Sequence, residues 1–364
     1  MKIGILGTRG IPNYYGGFEQ FAEYFATYAA SQKHEVFVYN SHKHPFKEKK
    51  FKGVSIIHCY DPEYLIGTAG QYIYDLNCIL DSRKRNFDII LQLGYTSSSV
   101  WFNIHPKNAI VITNMDGLEW KRTKYSKPIQ KLLLWAEKLA VQKSNALISD
   151  SIGIQNYIQQ KYKTDSEYIA YGAYGFNEPK EHVLKQFNVV PYKYNMIMAR
   201  LEPENNIEMV LDGVVLSNDK QSILVIGNYN TKFGSYLKNK FKNFNTIKFI
   251  GALYDIEILN NLRYFSNLYF HGHTVGGTNP SLLEAMASQA LIVAHENEFN
   301  KGVLQENAFY FSNPEEIKNI VNTVKKNDNL QFVQNNFNAI KNDFNWNKIN
   351  EQYLLYFKKC LDKR

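Results

Sequence analysis

The residues best placed to do chemistry stand in His271-Gly272-His273-Thr274-Val275-Gly276-Gly277-Thr278-Asn279-Pro280-Ser281-Leu282-Leu283-Glu284. Asn279 suits a helix N-cap and Pro280 a first helical position, so a helix is predicted to open there with unpaired N–H groups. Such an end attracts an anion, and a diphosphate fits it well. Glu284, one turn in, can accept hydrogen bonds from ribose hydroxyls; the alternative is a solvent-facing acid favoured by the helix dipole. Arg200 closes a strand-like run in Met198-Ala199-Arg200-Leu201-Glu202-Pro203-Glu204-Asn205-Asn206. A guanidinium there can hold a leaving diphosphate, or it can pair with Glu202 or Glu204 on the surface. His271 and His273 have no companions at zinc-ligand spacing and read as polar groups lining a cleft.

Two further segments join them. Gly7-Thr8-Arg9-Gly10-Ile11-Pro12-Asn13-Tyr14-Tyr15-Gly16-Gly17 follows the first strand-like run and precedes a helical pattern. Its glycines either let the backbone approach a ligand or make a flexible turn. The spacing is not GxGxxG, and the second strand ends in Asn40-Ser41 where a dinucleotide site prefers an acid, which disfavours an oxidoreductase. Asn114-Met115-Asp116-Gly117-Leu118-Glu119-Trp120-Lys121-Arg122 sets acids, bases and an aromatic after another strand. Asp116 and Glu119 are candidate acceptor-binding or base groups, although Asp-Gly is also a turn signal.

These segments need a scaffold. Short apolar runs alternate with helical patterns throughout, the pattern of an α/β protein with parallel sheets covered by helices. Strands are expected near 3–6, 36–39, 54–58, 88–93, 109–113 and 146–149, then near 195–199, 222–227, 247–250, 267–270 and 291–294. Phe18, Phe21, Ala22, Phe25 and Ala29 fall on one helical face. A second helix, about 128–143, is expected to turn Leu132, Leu133, Ala136 and Leu139 inward. At 364 residues the chain exceeds one core. The expected division is 1–172, 173–345 and a closing helix at 346–364, with two Rossmann-like domains facing across a cleft at the carboxyl ends of their strands.

Composition bounds the partners. Hydrophobic residues are 45% and charged residues 21%, which suits a globular chain, and the aromatic share of 15% is compatible with sugar pockets without proving one. The net charge of +8 suits anionic partners. Lys47, Lys49, Lys50 and Lys52, and Lys121, Arg122, Lys124, Lys127 and Lys131, form basic runs without the aromatic interleaving of RNA modules, so nucleic acid is not expected. They read either as solvated faces or as a patch leaning on a membrane. Three cysteines in no framework, no leader-like start and no apolar run of about 20 residues predict a cytoplasmic protein with, at most, peripheral membrane contact.

With these residues in view, the chain resembles the retaining GT-B glycosyltransferases of glycosyltransferase family 4 over essentially its whole length. The resemblance rests on Gly16-Gly17, Ala199-Arg200-Leu201, the segment from Pro280 to Ala287 with Glu284, and Trp346-Asn347-Lys348 with its Tyr-rich continuation. It implies that the closing helix crosses back onto the first domain. Two positions depart from the family pattern: Gly276 stands where a donor-contacting glutamate is usual, and Asn205 where a diphosphate-contacting lysine is usual. Gly7 to Pro12 through Gly16 to Glu19, Asp116 to Arg122 and Val275 to Pro280 look more narrowly like bacterial rhamnosyltransferases of capsule and surface-polysaccharide assembly. That similarity implies a dTDP-rhamnose donor and a lipid-linked saccharide acceptor. Gly16, Gly17, Arg200, Gly276, Gly277, Thr278, Asn279, Pro280, Ser281 and Glu284 would then form the donor side, and Tyr15, Asp116, Glu119, Trp120 and Arg122 the acceptor side. Arg200, Asp116 and Glu284 would carry catalysis. No catalytic metal or other cofactor is expected, in keeping with the absence of an Asp-x-Asp pair. The rivals are a nucleotide-sugar 2-epimerase of the same fold and a non-catalytic sugar-nucleotide-binding protein.

Overall fold

A computed structural model describes residues 1–122 and 125–363; Lys124 of the basic run and Arg364 of the expected closing helix lie outside the described residues. The chain divides into two compact units. The first comprises Met1–Lys121, Tyr125–Tyr171 and the segment opening at Trp346; the second is Gly172–Asn345, with which the short segment opening at Arg122 is grouped.

The first unit holds strands β1 (Lys2–Leu6), β2 (Glu35–Ser41), β3 (Lys50–Phe51), β4 (Val54–Cys59), β5 (Ile89–Leu93), β6 (Ile110–Asn114), β7 (Ala146–Ser149) and β8 (Glu167–Tyr168). They form an 8-stranded sheet in the order β3-β4-β2-β1-β5-β6-β7-β8. The β3–β4 pair is antiparallel and the other pairs are parallel. Strands β5 and β6 are buried along their whole length, which explains their unbroken apolar character: helices cover both faces of a parallel sheet. The winding runs outward from β1 and resumes at β5, so the topological switch falls between β1 and β5.

The second unit holds β9 (Tyr194–Met198), β10 (Ser222–Ile226), β11 (Ile247–Gly251), β12 (Tyr269–His271), β13 (Ile292–His295) and β14 (Phe309–Phe311). Its 6-stranded sheet has the order β11-β10-β9-β12-β13-β14, parallel throughout, with the switch between β9 and β12. Both units are therefore Rossmann-like. A strand forms at every position expected from the sequence; the short β3, β8 and β14 carry too few residues for a periodic signal and were not anticipated.

Helix Gly17–Ser31 buries Phe21, Ala22, Phe25, Ala26 and Ala29. Helix Trp346–Asp362 completes the core of this same unit. The Tyr353 ring lies 4.8 Å from Phe21 and 5.3 Å from Phe25, and Trp346 lies 4.9 Å from Tyr24. Tyr353 also accepts a hydrogen bond from the Nδ2 of Asn114, at the end of β6, at 3.0 Å.

Helix Lys127–Lys143 corrects one expectation. Leu133 and Ala136 do face inward with Ala140 and Val141, but Leu132 is 41% exposed and Leu139 only half-buried. A buried carboxylate sets the rotation. Glu137 accepts hydrogen bonds from Tyr157 Oη at 2.7 Å, Tyr162 Oη at 2.6 Å and Lys161 Nζ at 3.0 Å. With Glu137 and Leu133 on the inner line, four residues apart, Leu132 is carried about 100° away. Among the described residues, no helix is long and apolar enough to cross a membrane.

Candidate functional site

In a doubly wound sheet, ligands bind at the carboxyl ends of strands beside the switch. In the second unit that place is occupied by the loops after β9 and β12, which carry Arg200 and the run from His271 to Asn279. Hydrogen bonds fasten the two loops to each other. Asn206 Nδ2 donates to the Gly272 carbonyl at 2.8 Å, while Thr274 donates to the Glu204 carbonyl from its N–H at 3.2 Å and from Oγ1 at 2.8 Å. A Cβ on Gly272 would stand 2.1 Å from the Asn205 carbonyl oxygen, so glycine is required for this approach.

Asn205 is buried, and its Nδ2 donates to the Arg200 carbonyl at 2.7 Å. The residue at the usual lysine position thus shapes the loop that presents Arg200. Arg200 itself is exposed and makes no ion pair with Glu202 or Glu204 among the described residues. Buried Glu204 has the Arg122 guanidinium 3.7 Å away.

Helix Pro280–Ala287 opens where expected. Asn279 caps it: Oδ1 accepts from Ser281 N at 3.1 Å and from Ser281 Oγ at 2.8 Å. The first-turn N–H groups are not unpaired, however, because Leu282 and Leu283 also bond the Asn279 carbonyl. In the preceding loop Gly276 and Gly277 make no backbone bond among the described residues. Gly276 sits at φ +142° with no atom within 4 Å of an added Cβ, and Thr278 is buried.

One residue connects these parts. Arg263, fully buried on helix Ile256–Phe265, donates from Nη2 to Glu284 Oε2 at 2.6 Å and to Met198 Sδ at 3.3 Å, and from Nη1 to Asn260 Oδ1 at 3.2 Å. Met198 ends β9 two residues before Arg200, so a single guanidinium brackets the Arg200 strand and helix Pro280–Ala287 at Glu284. Burial pulls the Arg263 pKa down, but the charges and hydrogen bonds of Glu284 and Tyr269 together outweigh it and leave the group above its ordinary value, protonated. The Glu284 side chain keeps 18% of its exposure, so it retains a solvent-facing edge while one oxygen is committed to Arg263.

His271 departs from the expectation of a cleft-lining polar group, while His273 is partly exposed. They stack with ring centroids 4.3 Å apart, and His271 is buried, both of its ring nitrogens lacking a hydrogen-bond partner among the described residues. Burial, with Arg200 and Arg122 beside it, brings His273 down to about 3, and burial with His273 lowers His271 as well. Both imidazoles are neutral at physiological pH.

In the first unit, the loop after β1 is held from inside. Asn40 Oδ1 accepts from Ile11 N at 3.1 Å and Nδ2 donates to the Ile11 carbonyl at 2.8 Å, which explains why no acid ends β2. Buried Glu19 accepts from Thr8 Oγ1 at 3.1 Å and Arg9 N at 2.8 Å. Arg9 forks onto Glu63 and lies 3.9 Å over the ring of exposed Tyr15. Gly16 is the extended N-cap of helix Gly17–Ser31. Asp116 adopts φ +38°, so its turn signal is real; Tyr171 Oη reaches its Oδ1 at 3.4 Å. Glu119 donates its N–H to Tyr95 Oη at 3.2 Å, and Trp120 is half-buried against Tyr157 with Lys121 and Lys161 over its ring.

The chain matches two families in succession. Residues 1–174 match a domain of unknown function, DUF1972, and residues 182–339 match glycosyl transferases group 1. Over nearly its whole length it superposes on sucrose-phosphate synthase from Thermosynechococcus elongatus, with TM-score 0.79, 13% identity and 100% of each chain covered. It also superposes on Anabaena HepE in complex with UDP and glucose, with TM-score 0.75, 18% identity, 98% of this chain and 99% of that one. The chain has the GT-B fold. An uncharacterised glycosyltransferase of Methanocaldococcus jannaschii is 26% identical over 248 residues; the match spans 62% of this chain and 61% of the relative. Together these matches support a GT-B glycosyltransferase.

Two features of this GT-B chain were missed from sequence. Arg263 sits inside an ordinary amphipathic helix and no spacing rule singles it out. Asp75, on helix Gly70–Ser82, is buried and accepts from Ser97 Oγ at 2.6 Å; burial raises it to about 7, against the opposing effects of Ser97 and Arg9. An acid in mid-helix reads as solvent-facing until the fold is known.

Proposed function

We propose that this chain is a retaining glycosyltransferase that moves a hexosyl group, rhamnosyl from dTDP-rhamnose, to a lipid-linked saccharide in surface-polysaccharide assembly. The observation that carries this reading is the bracket of Arg263 on Met198 and Glu284, which sets Arg200 and the Asn279-capped helix on one edge of the second unit. When the bond from the sugar to the diphosphate breaks, the electron pair leaves with the diphosphate. Arg200, the N–H groups of Gly276 and Gly277 and the dipole of helix Pro280–Ala287 meet that charge. Glu284 holds the ribose through its solvent-facing edge. Gly16 and Gly17 admit the ligand backbone-close, and Asp116 orients the acceptor with Tyr15, Glu119 and Trp120. The HepE neighbours, solved with UDP and with UDP-glucose, support a nucleoside diphosphate donor for this chain.

Rhamnose as the sugar rests on the motif resemblance, with Gly276 in place of the usual glutamate. A calorimetric panel of dTDP-, UDP- and GDP-sugars tests it: dTDP-rhamnose should bind most tightly, and a clear preference for another donor would replace it. Arg200→Ala should lower transfer by roughly two to three powers of ten while the fold persists. Turnover should persist in EDTA; loss with rescue by magnesium would overturn the metal-independent reading. Product made from the donor with no acceptor present would favour the epimerase.

A further inference from the structure

Helix Lys127–Lys143 turns chemically different faces inward and outward. Its inner line is fixed by Leu133, Ala136, Ala140 and Val141 and by the buried Glu137 with its tyrosine and lysine donors. Its outer face shows Ile129 at 43% exposure, Leu132 at 41% and Trp135 at 49%. These lie three residues apart and so form one stripe. Exposed Lys127, Lys131 and Lys138 form a second stripe on its flank, and the helix's single acid, Glu137, is on the buried side. A contiguous apolar stripe beside cations that make no ion pair among the described residues marks an interaction face.

We propose that this face is an interfacial helix that seats the first unit on an anionic bilayer surface. Ile129 and Leu132 enter the acyl boundary, the Trp135 indole lies at headgroup level, and Lys127, Lys131 and Lys138 meet anionic headgroups. Charge argues for lipid over a second copy of the chain, since apposing two such faces sets lysines against lysines with no acid on either to receive them. The same helix reaches the acceptor-side segment. Tyr95 Oη accepts from Glu119 N, and it lies 3.2 Å from the Gly117 carbonyl and 3.4 Å from Glu137 Oε2. The inward carboxylate of the helix and the loop bearing Asp116 and Glu119 therefore share one hydroxyl. The use of this contact in catalysis rests on the lipid-linked acceptor proposed above, but the binding itself is measured without turnover.

The test is co-sedimentation of the full chain with phosphatidylcholine vesicles, with or without phosphatidylglycerol, at low and high salt. Wild type should sediment with the anionic vesicles, more weakly as salt rises, and hardly at all with phosphatidylcholine alone. Neutralising the charges (Lys127→Gln, Lys131→Gln, Lys138→Gln) should weaken binding roughly a hundredfold, since each lysine near such a surface contributes about fivefold. The triple change Ile129→Ser, Leu132→Ser and Trp135→Ser should weaken it at least tenfold, by roughly the apolar area withdrawn. Both variants should keep their circular dichroism and donor binding. Wild type that ignores anionic vesicles at low salt, or a serine variant that binds as wild type does, would overturn the proposal. So would a dimer in sedimentation velocity that the serine variant dissolves. Vesicle binding with no donor recognised would instead sink the transferase reading and leave this one standing.

Discussion

Arg263 and Glu284 form an ion pair at 2.6 Å in which the guanidinium is wholly buried and the carboxylate retains a solvent-facing edge. Removing the cation deletes the ion pair to Glu284 and the contact to Met198 at the end of β9. Arg263→Met should cost about 3 kcal/mol of stability, visible in urea denaturation, and should raise the donor KM more than Glu284→Gln raises it. Equal stability of Arg263→Met and wild type would contradict the bracketing role.

Asn40 grips Ile11 with both ends of its amide, and an aspartate there loses the donor and places a charge against a buried carbonyl. Asn40→Asp should lower stability by about 2–4 kcal/mol. Thermal unfolding checks the magnitude, and the variant should gain no affinity for a dinucleotide.

Acid should act in opposite senses on the two units. His273, held at about 3 against an ordinary value near 6.5, and His271, also lowered, bind fewer protons folded than unfolded. Their contribution is complete above about pH 6.5 and is lost as pH falls, on the order of 2 kcal/mol for His273 at pH 4.5. Asp75, raised to about 7, binds its proton more tightly when folded, so its contribution is greatest in acid and declines as pH rises from about 4 through 7. Unfolding followed from pH 4.5 to 7.5 should therefore show the second unit gaining stability with pH. His273→Gln should flatten that slope, and Asp75→Asn should stabilise most at the alkaline end.

Tyr353→Phe deletes the acceptor for Asn114 Nδ2 in a buried setting while leaving the aromatic packing intact. A loss of about 1–2 kcal/mol is expected, confined to the first unit, as read from the denaturant midpoint.

Much of the scaffold was legible because parallel strands write themselves as short apolar runs, and Asn279-Pro280 marks a helix start by backbone chemistry alone. The site was less legible, because its connections run between distant segments. Arg263 reaches Glu284 and Met198 only once the sheet order is fixed, and Asn205 and Asn40 reveal their work only through the carbonyls they hold. Leu132 misled the reading of its helix. Apolar periodicity there admitted two rotations, and the choice was made by Glu137, a charged residue that sequence alone would send to solvent.

The closing helix also bears on the order in which the protein is made. Tyr24 and Asn350 are hydrogen-bonded across 326 residues, and everything that builds the second unit lies between them. Joining ends so far apart carries a loop entropy that falls sharply once the intervening stretch has condensed. The second unit should thus mature as an autonomous insert, while the aromatic face of Phe21 and Phe25 stays bare until Tyr353 arrives, a window in which chaperones or misassociation would find their opening.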